Sequence, residues 1–198
     1  MSRFAVTLDR QQFDRKPQSV AAITKRMQQG GSIELDESGF CEAVRRGQTW
    51  CGGCYEPSCD GWGAFVGLQI VALDFDNSAE VLDAQGQTVR GADGRKAKRP
   101  LYPGEAGFLS MTDALDRCER LSLPPMCAYQ TMSASDTWHK FRVVLDLGEH
   151  IGDEGEACAI LGELLTAFPE ADQACSNLNR LFFGSNGIVF ECWRDERP

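Results

Sequence analysis

The order of hydrophobic patterns between residues 66 and 184 most narrowly limits the folds open to this chain of 198 residues. An apolar run at residues 66–75 predicts a strand. Apolar residues at helical spacing predict a helix from Ser110 and another from about Asp153, which ends near Pro169. Two strand-like runs separate the helices and a third follows them: MCAYQTM, HKFRVVLDL and RLFFG. A Ser-Asn turn then leads into GIVFECW, which predicts a hairpin with RLFFG.

Strand, helix, strand, strand, helix, strand is the ferredoxin-like βαββαβ plan, which RNA-recognition modules (RRMs) share. We therefore predict an α+β fold with an RRM-like core at residues 66–198. An N-terminal α/β annex is predicted for residues 1–65, with a strand, two helices and an irregular Cys-rich loop, TWCGGCYEPSCDGWG. In the RRM-like plan, the first and third strands are antiparallel neighbours and the fourth lies beside the first. The end of the first strand thus meets the starts of the other two.

Composition sets the broad class. The chain is 42% hydrophobic and 25% charged, as is usual for a globular domain, and no apolar run approaches membrane-spanning length. The start of the chain has no apolar signal-peptide core, so a cytoplasmic location without membrane contact is expected, with the nine cysteines reduced. A net charge of −9 argues against bulk affinity for nucleic acid but leaves room for a local basic patch.

Charged residues concentrate at the edge where the three strands meet. Six of them should share the open face of the sheet: Asp74 and Asp76 at the end of the first strand, Lys140 and Arg142 at the start of the third, and Asp172 and Arg180 around the start of the fourth. The strand period of two places each i, i+2 pair on one face.

Clustered carboxylates repel each other unless a cation offsets the repulsion, so Asp74, Asp76 and Asp172 predict a site for Mg²⁺ or Mn²⁺. Lysine and arginine beside such a metal suit a triphosphate. Two metals held in this way would activate a primer hydroxyl and stabilise the leaving pyrophosphate, which is nucleotidyl transfer. Each feature taken alone also fits a simpler interpretation, such as a strand cap, a turn or a solvated strand face. Their convergence favours the metal site.

At these residues the chain resembles the archaeo-eukaryotic primase superfamily, in particular the primase-polymerases of phages, plasmids and integrative elements. LDFDN matches the acidic first motif of that family, and Asp172 in DQACSNLNRLFFG matches its third. The resemblance covers about residues 66–190. It implies a DNA primase-polymerase that joins ribo- or deoxynucleoside triphosphates on a single-stranded DNA template during replication. Phage and plasmid relatives often continue into a helicase, so a helicase domain or partner is also implied.

The second family motif departs from the usual pattern. Many members open that strand with Ser-x-His, and both residues contact the nucleotide. Here Lys140 and Arg142 stand at the equivalent positions, so the resemblance transfers the phosphate-binding role to them. The resemblance also transfers this role to His139, which is adjacent but has the opposite strand parity. Ser133, in the preceding loop, could supply a hydroxyl contact or be a plain turn residue.

Two further groups of residues are candidates for binding. Zinc could be held by cysteines spaced C-x2-C-x4-C and a fourth upstream: Cys51, Cys54, Cys59 and Cys41. These could equally be small buried thiols. Template DNA could be contacted by a basic stretch within residues 81–108: Arg95, Lys96, Lys98 and Arg99. A solvated loop is the alternative there.

Two other functions compete with the primase interpretation. VALDFDN also resembles the opening motif of haloacid-dehalogenase-type phosphatases, in which the first Asp is the nucleophile. That fold needs alternating parallel βα units, which the two consecutive strands around residues 132–138 argue against. The other alternative is a non-catalytic RRM-like nucleic-acid-binding replication module, for which aromatic rather than charged residues are expected on the open face.

Overall fold

A computed structural model describes residues 3–123 and 125–191 and shows an α+β fold, as predicted. In chain order its elements are β1 (Arg3–Leu8), α1 (Ala21–Gly30), β2 (Ser32–Asp36), α2 (Glu37–Arg45), β3 (Trp50–Cys51), β4 (Gly53–Tyr55), β5 (Phe65–Phe75), β6 (Ser78–Glu80), β7 (Lys98–Pro100), α3 (Met111–Arg120), β8 (Pro125–Gln130), β9 (Phe141–Ile151), α4 (Glu154–Ala167), a 3-10 helix (Gln173–Ser176) and β10 (Val189–Glu191). The central sheet has five antiparallel strands in the order β10-β8-β9-β5-β4. No helix in the described part of the chain is both long and apolar enough to cross a membrane.

Local sequence signals explain where the helices of the core begin. The Ser110 hydroxyl accepts a hydrogen bond from the backbone N–H of Asp113 at 3.0 Å, and the Asp153 carboxylate accepts one from Glu156 at 2.8 Å. Each side chain satisfies a donor that the first helical turn leaves unpaired. Both predicted helix starts are confirmed.

Helices α3 and α4 share one face of the sheet. On that face the rings of Phe75 and Phe141 stack at 4.7 Å, and Phe168 after α4 meets Phe75 edge-on. Arg117 of α3 lies over the Phe168 ring and pairs with Glu170 at 2.7 Å, so the two helices are tied together. The alternation of β5 and β9 sends the side chains of neighbouring residues to the opposite face.

The N-terminal residues cover that opposite face, which was expected to be open. β1 pairs with β2 and β3 in a second, three-stranded sheet. Phe4, Phe40 and Trp50 belong to the same buried cluster as Ile70 and Tyr129 of the central sheet. The face that carries the predicted site is therefore buried over much of its area, and the charged residues reach solvent only at its rim.

The prediction that RLFFG forms the fourth strand of the RRM-like core is wrong. Residues 181–184 contribute a single bridge, between Phe182 and Trp50, and β4 takes the expected place beside β5. GIVFECW does not form a hairpin with RLFFG; the part that is described pairs with β8 as β10, and residues 192 and 193 lie outside the described residues. The RRM-like order is thus present only as β8-β9-β5.

Glycine explains why the Cys-rich loop, expected to be irregular, forms β3 and β4 instead. A Cβ at Gly52 would lie 2.3 Å from the carbonyl oxygen of Ile70, and one at Gly53 would lie 2.5 Å from that of Leu178. Residues without a side chain allow the backbone to approach this closely. The glycines that predicted a loop thus allow the close backbone approach by which β3 and β4 join their two sheets.

Candidate active site

Strand register brings two of the predicted site residues, Asp74 and Arg142, together. Asp74 of β5 lies directly opposite Arg142 of β9, and their side chains pair at 3.1 Å. Both side chains point away from the helices because their neighbours Phe75 and Phe141 point toward them. Asp74 is 8% exposed and Arg142 is 4% exposed, so this ion pair is buried.

Arg180 joins Asp74 to the third predicted carboxylate. Its guanidinium lies 3.0 Å from Asp74 Oδ2 and 2.7 Å from Asp172 Oδ2. The backbone N–H of Asp172 also donates to the carbonyl of Asp74 at 2.8 Å, which fixes the spacing of the two residues. Burial raises the pKa of Asp74, but the charges of Arg142 and Arg180 outweigh it, so the pKa lies below its ordinary value. Asp74 is therefore an anion held between two cations.

Arg142 is anchored on several sides. One terminal nitrogen donates to the Tyr129 hydroxyl at 2.8 Å and to the Phe183 carbonyl at 2.7 Å. The Tyr129 hydroxyl also accepts from Trp50 Nε1 at 2.9 Å. Burial lowers the pKa of Arg142, but the nearby Asp74 carboxylate raises it further, so it lies above its ordinary value. Burial also raises the pKa of Tyr129 to about 12, so both groups keep their ordinary protonation states near neutral pH.

Asp76 follows the strand in a turn whose shape is set by Asn77. The Asn77 backbone has φ of +41°, and its buried side chain bonds both the N–H and the carbonyl of Leu109 and the carbonyl of His139. The Asp76 carboxylate is 33% exposed and lies 3.4 Å from the Lys140 ammonium and 3.6 Å from that of Lys98. Asn77 was not among the predicted site residues, although the sequence LDFDN contains it.

Asp172 caps the 3-10 helix and keeps part of its carboxylate in solvent. One oxygen accepts from the backbone N–H of Ala174 at 3.0 Å, and the other contacts Arg180. Its side chain is 36% exposed. Asp76 and Asp172 are thus the accessible members of the predicted carboxylate set, whereas Asp74 has no oxygen left unpaired.

These side chains line one cavity of about 200 Å³. Its wall combines the predicted residues with others that the sequence did not reveal: Asp74, Asp76, Ser133, Arg142, Asp172 and Arg180, joined by Lys16, Thr131, Met132 and Phe183. Lys16 lies 5.7 Å from the centre of the Phe183 ring. It comes from an irregular segment before α1 that has no hydrophobic period, so no pattern could have placed it here.

The carboxylates of this cavity suit a hard divalent cation, provided that phosphates of a ligand supply further metal contacts. Carboxylate oxygens are the ligands that Mg²⁺ and Mn²⁺ prefer. Within residues 3–123 and 125–191, however, no group of three or more His, Cys, Asp or Glu side chains lies close enough together to hold a metal. Mg²⁺ at phosphate sites is commonly held by one or two carboxylates together with the phosphates themselves. Asp76 and Asp172 fit that mode.

Two predicted nucleotide-binding residues lie in different places. Ser133 lines the charged cavity, and its hydroxyl is 3.3 Å from that of Thr131. His139 lines a separate cavity and meets the Phe108 ring edge-on at 6.2 Å.

The basic stretch is a folded ribbon. β6 and β7 pair, and further bridges join Leu82 to Thr88 and Arg90 to Lys96. Each of the four predicted DNA-binding side chains has an acidic neighbour: Arg95 with Asp93, Lys96 with Glu80, Lys98 with Asp76, and Arg99 with Glu105. Lys98 connects this ribbon to the charged cavity.

The predicted zinc ligands are not brought together as a group of three or four in the described part of the chain. The Cys51 thiol donates to the Leu178 carbonyl at 3.1 Å, and Cys41 is hydrogen-bonded to Cys127. Burial raises the pKa of Cys51 to about 12 and that of Cys54 to about 11, which opposes the thiolate form that zinc requires. Zinc binding stays a prediction.

No protein-family model matches the chain, and the searches of curated proteins and of solved structures found no match.

Proposed function

We propose that this protein is a metal-dependent nucleotidyltransferase, a DNA primase-polymerase that builds primers from nucleoside triphosphates on single-stranded DNA. The observation that carries the proposal is the charged cavity, where two accessible carboxylates share a wall with several cations. A site of carboxylates alone would suit a bare metal ion. Cations among the carboxylates suit a metal that carries phosphates. The resemblance of LDFDN and of the Asp172 segment to primase motifs supports the same chemistry.

The residues divide into three roles. Asp76 and Asp172 would hold Mg²⁺ or Mn²⁺, which when bound stabilises charge on the transferring phosphate and activates the attacking hydroxyl. Lys140, Lys16 and Arg180 would neutralise the triphosphate, whose oxygens would compete with the carboxylates for the same cations. Asp74 would act as a positioning residue, because it orients Arg142 and Arg180 without offering a free oxygen.

Template DNA would approach along the ribbon formed by residues 78–100, whose Arg95, Lys96, Lys98 and Arg99 are candidates for phosphate contacts. Their acidic neighbours reduce the net charge of the ribbon. We therefore propose that the contact is made by exchange of these ion pairs, which predicts a strong dependence on salt.

The phosphatase alternative is disfavoured by the geometry. Its nucleophile would be Asp74, which is 8% exposed and has both oxygens bonded by arginines. Strands β5, β8 and β9 also pair in antiparallel fashion, whereas that fold requires parallel ones. The non-catalytic binding module is the remaining alternative, and the experiment below separates it.

The test is primer synthesis on circular single-stranded DNA with labelled nucleotides and Mg²⁺ or Mn²⁺. Wild-type protein should make short strands, and Asp76→Ala and Asp172→Ala should each abolish joining while the fold is retained. Asp116→Ala, an exposed carboxylate on α3 that does not line the cavity, is the matched control and should be fully active. Wild-type protein that binds the DNA without joining nucleotides would refute the proposal in favour of a binding module.

A further inference from the structure

A second cavity, of about 310 Å³, lies beside the charged one and has a different character. It is formed where the loop before α3 meets the start of β9. Its apolar wall consists of Pro103, Phe108, Met111 and Phe141. The partly exposed Phe108 ring in a cleft of this size offers a flat surface to a planar ligand.

The polar side chains in this cavity differ in whether they already make hydrogen bonds within the protein. Ser110 and Asp113 bond each other as the cap of α3. The side chains of Gln130 and His139 also line the cavity, and neither makes a hydrogen bond to any residue in the described ranges, 3–123 and 125–191. A carboxamide presents both a donor and an acceptor, and an imidazole can present either. Both groups are therefore available to the edge of a ligand.

An ion pair joins one residue of each cavity. Lys140 lines the apolar cavity, and its ammonium lies 3.4 Å from the carboxylate of Asp76, which lines the charged one. The Lys140 ammonium also lies over the Trp138 ring, 4.0 Å from its centre. A ligand with a planar ring at one end and phosphates at the other could occupy both cavities across Lys140.

We propose that the apolar cavity binds a nucleobase. Stacking on aromatic side chains combined with hydrogen bonds to the ring edge is the general chemistry by which proteins hold unpaired bases. Phe108 supplies the accessible ring, since Phe141 is almost fully buried, and Gln130 and His139 supply the edge contacts. The inference extends the proposed function, because the base would belong either to a nucleoside triphosphate or to a DNA strand.

The experiment measures binding by calorimetry to four probes: ATP, adenosine, inorganic tripolyphosphate and a short single-stranded DNA. Phe108→Ala should weaken ATP binding about tenfold, which is typical of the loss of one stacking ring, and should leave tripolyphosphate binding unchanged. Lys16→Ala should weaken ATP and tripolyphosphate alike. Phe108→Leu keeps an apolar side chain and should still lose most of the stacking. Phe190→Ala, an exposed phenylalanine on β10 that lines neither cavity, is the control.

The outcomes separate the two proposals. If Phe108→Ala weakens ATP binding, the base belongs to a mononucleotide, and if it weakens only DNA binding, the base belongs to a strand; both support the base pocket. ATP, adenosine and DNA binding that are all indifferent to Phe108 would overturn it, even if primer synthesis were observed. Loss of base-dependent binding in Phe108→Ala without any primer synthesis by wild-type protein would support the base pocket and refute the nucleotidyltransferase.

Discussion

Replacing Asp74 by Ala should destabilise the protein far more than replacing its neighbour Asp76. Asp74 is the shared partner of Arg142 and Arg180, and its removal leaves two cations facing each other. Arg180 keeps Asp172 and partial contact with solvent. Among the described residues, the hydrogen-bond partners left to the buried Arg142 are neutral, namely the Tyr129 hydroxyl and the Phe183 carbonyl. Mutual repulsion among clustered carboxylates would have the opposite consequence, that Asp74→Ala is harmless or slightly stabilising.

The size of the effect follows from burial. Removing one partner of a buried ion pair costs about 3–5 kcal/mol, because the remaining charge is left uncompensated. Asp76 is partly exposed, and its ammonium partners lie at 3.4 and 3.6 Å. Exposed pairs of this kind contribute roughly 0.2–1 kcal/mol each. For a chain of this length, a loss of about 3 kcal/mol corresponds to a fall in the melting temperature of roughly 6–12 °C.

Urea unfolding at neutral pH, followed by tryptophan fluorescence, measures both variants. A double variant, Asp74→Ala with Arg142→Met, serves as the internal check, because it removes the orphaned charge and should recover much of the lost stability. An Asp74→Ala variant within about 0.5 kcal/mol of Asp76→Ala, near the scatter of ordinary surface substitutions, would refute the buried-network interpretation.

Two further predictions concern stability. The pKa of Asp74 lies below its ordinary value in the folded protein, so the stabilisation that its ionised form contributes is fully present above the unfolded-state pKa of about 3.9 and is lost as the pH falls through the folded-state pKa. Urea midpoints below pH 4 should therefore fall more steeply with decreasing pH for wild type than for Asp74→Asn. Equal slopes would contradict this. Gly47→Ala should be more destabilising than Gly86→Ala in the same assay, because both glycines have positive φ but only at Gly47 would a Cβ collide with backbone, 1.8 Å from the Phe13 carbonyl oxygen; equal midpoints would refute the collision.

Much of the fold could be predicted because its signals are local. The buried run of β5 and the alternation at the start of β9 leave few alternatives for those segments, and Ser110 and Asp153 mark helix starts by a specific hydrogen bond. Strand register then follows from burying Phe75 and Phe141 on one face. The convergence of Asp74 with Arg142 was predictable for that reason.

The prediction of a fourth strand at RLFFG failed because apolar side chains can pack in a core without their backbone pairing in a sheet. Phe182 packs against Trp50 with ring centres 4.9 Å apart, and the Arg142 guanidinium lies 4.8 Å from its ring centre. Its apolar side chain therefore serves as packing and a platform for a cation, not as part of a strand. The segment that does pair beside β5 has the Cys- and Gly-rich composition of a loop, and its position depends on close backbone approach that no hydrophobic pattern records.

The site was predicted as a set of residues but not as an arrangement of charges. Strand parity places Asp74 and Asp76 alike, yet Asp74 is buried between Arg142 and Arg180 whereas Asp76 is partly exposed. Only tertiary contacts distinguish the two, such as that of Arg180, from the segment after α4, with Asp74. Long-range partners such as Lys16 and Lys98 were unpredictable for the same reason, since each reaches the site from a segment whose position depends on tertiary contacts.

A continuous chain of polar contacts links the N-terminal core to the rim of the charged cavity. It runs from Trp50 through Tyr129, Arg142, Asp74 and Arg180 to Asp172, with each step at 3.1 Å or less. In a buried setting such contacts reinforce each other, and charged groups held in this way need little rearrangement when a ligand arrives. The N-terminal residues therefore do more than bury apolar surface. Through Trp50 and Tyr129 they help to hold Arg142 in place, and Asp74 is committed to Arg142 and Arg180. The two partly exposed carboxylates, Asp76 and Asp172, are left to meet whatever enters the cavity.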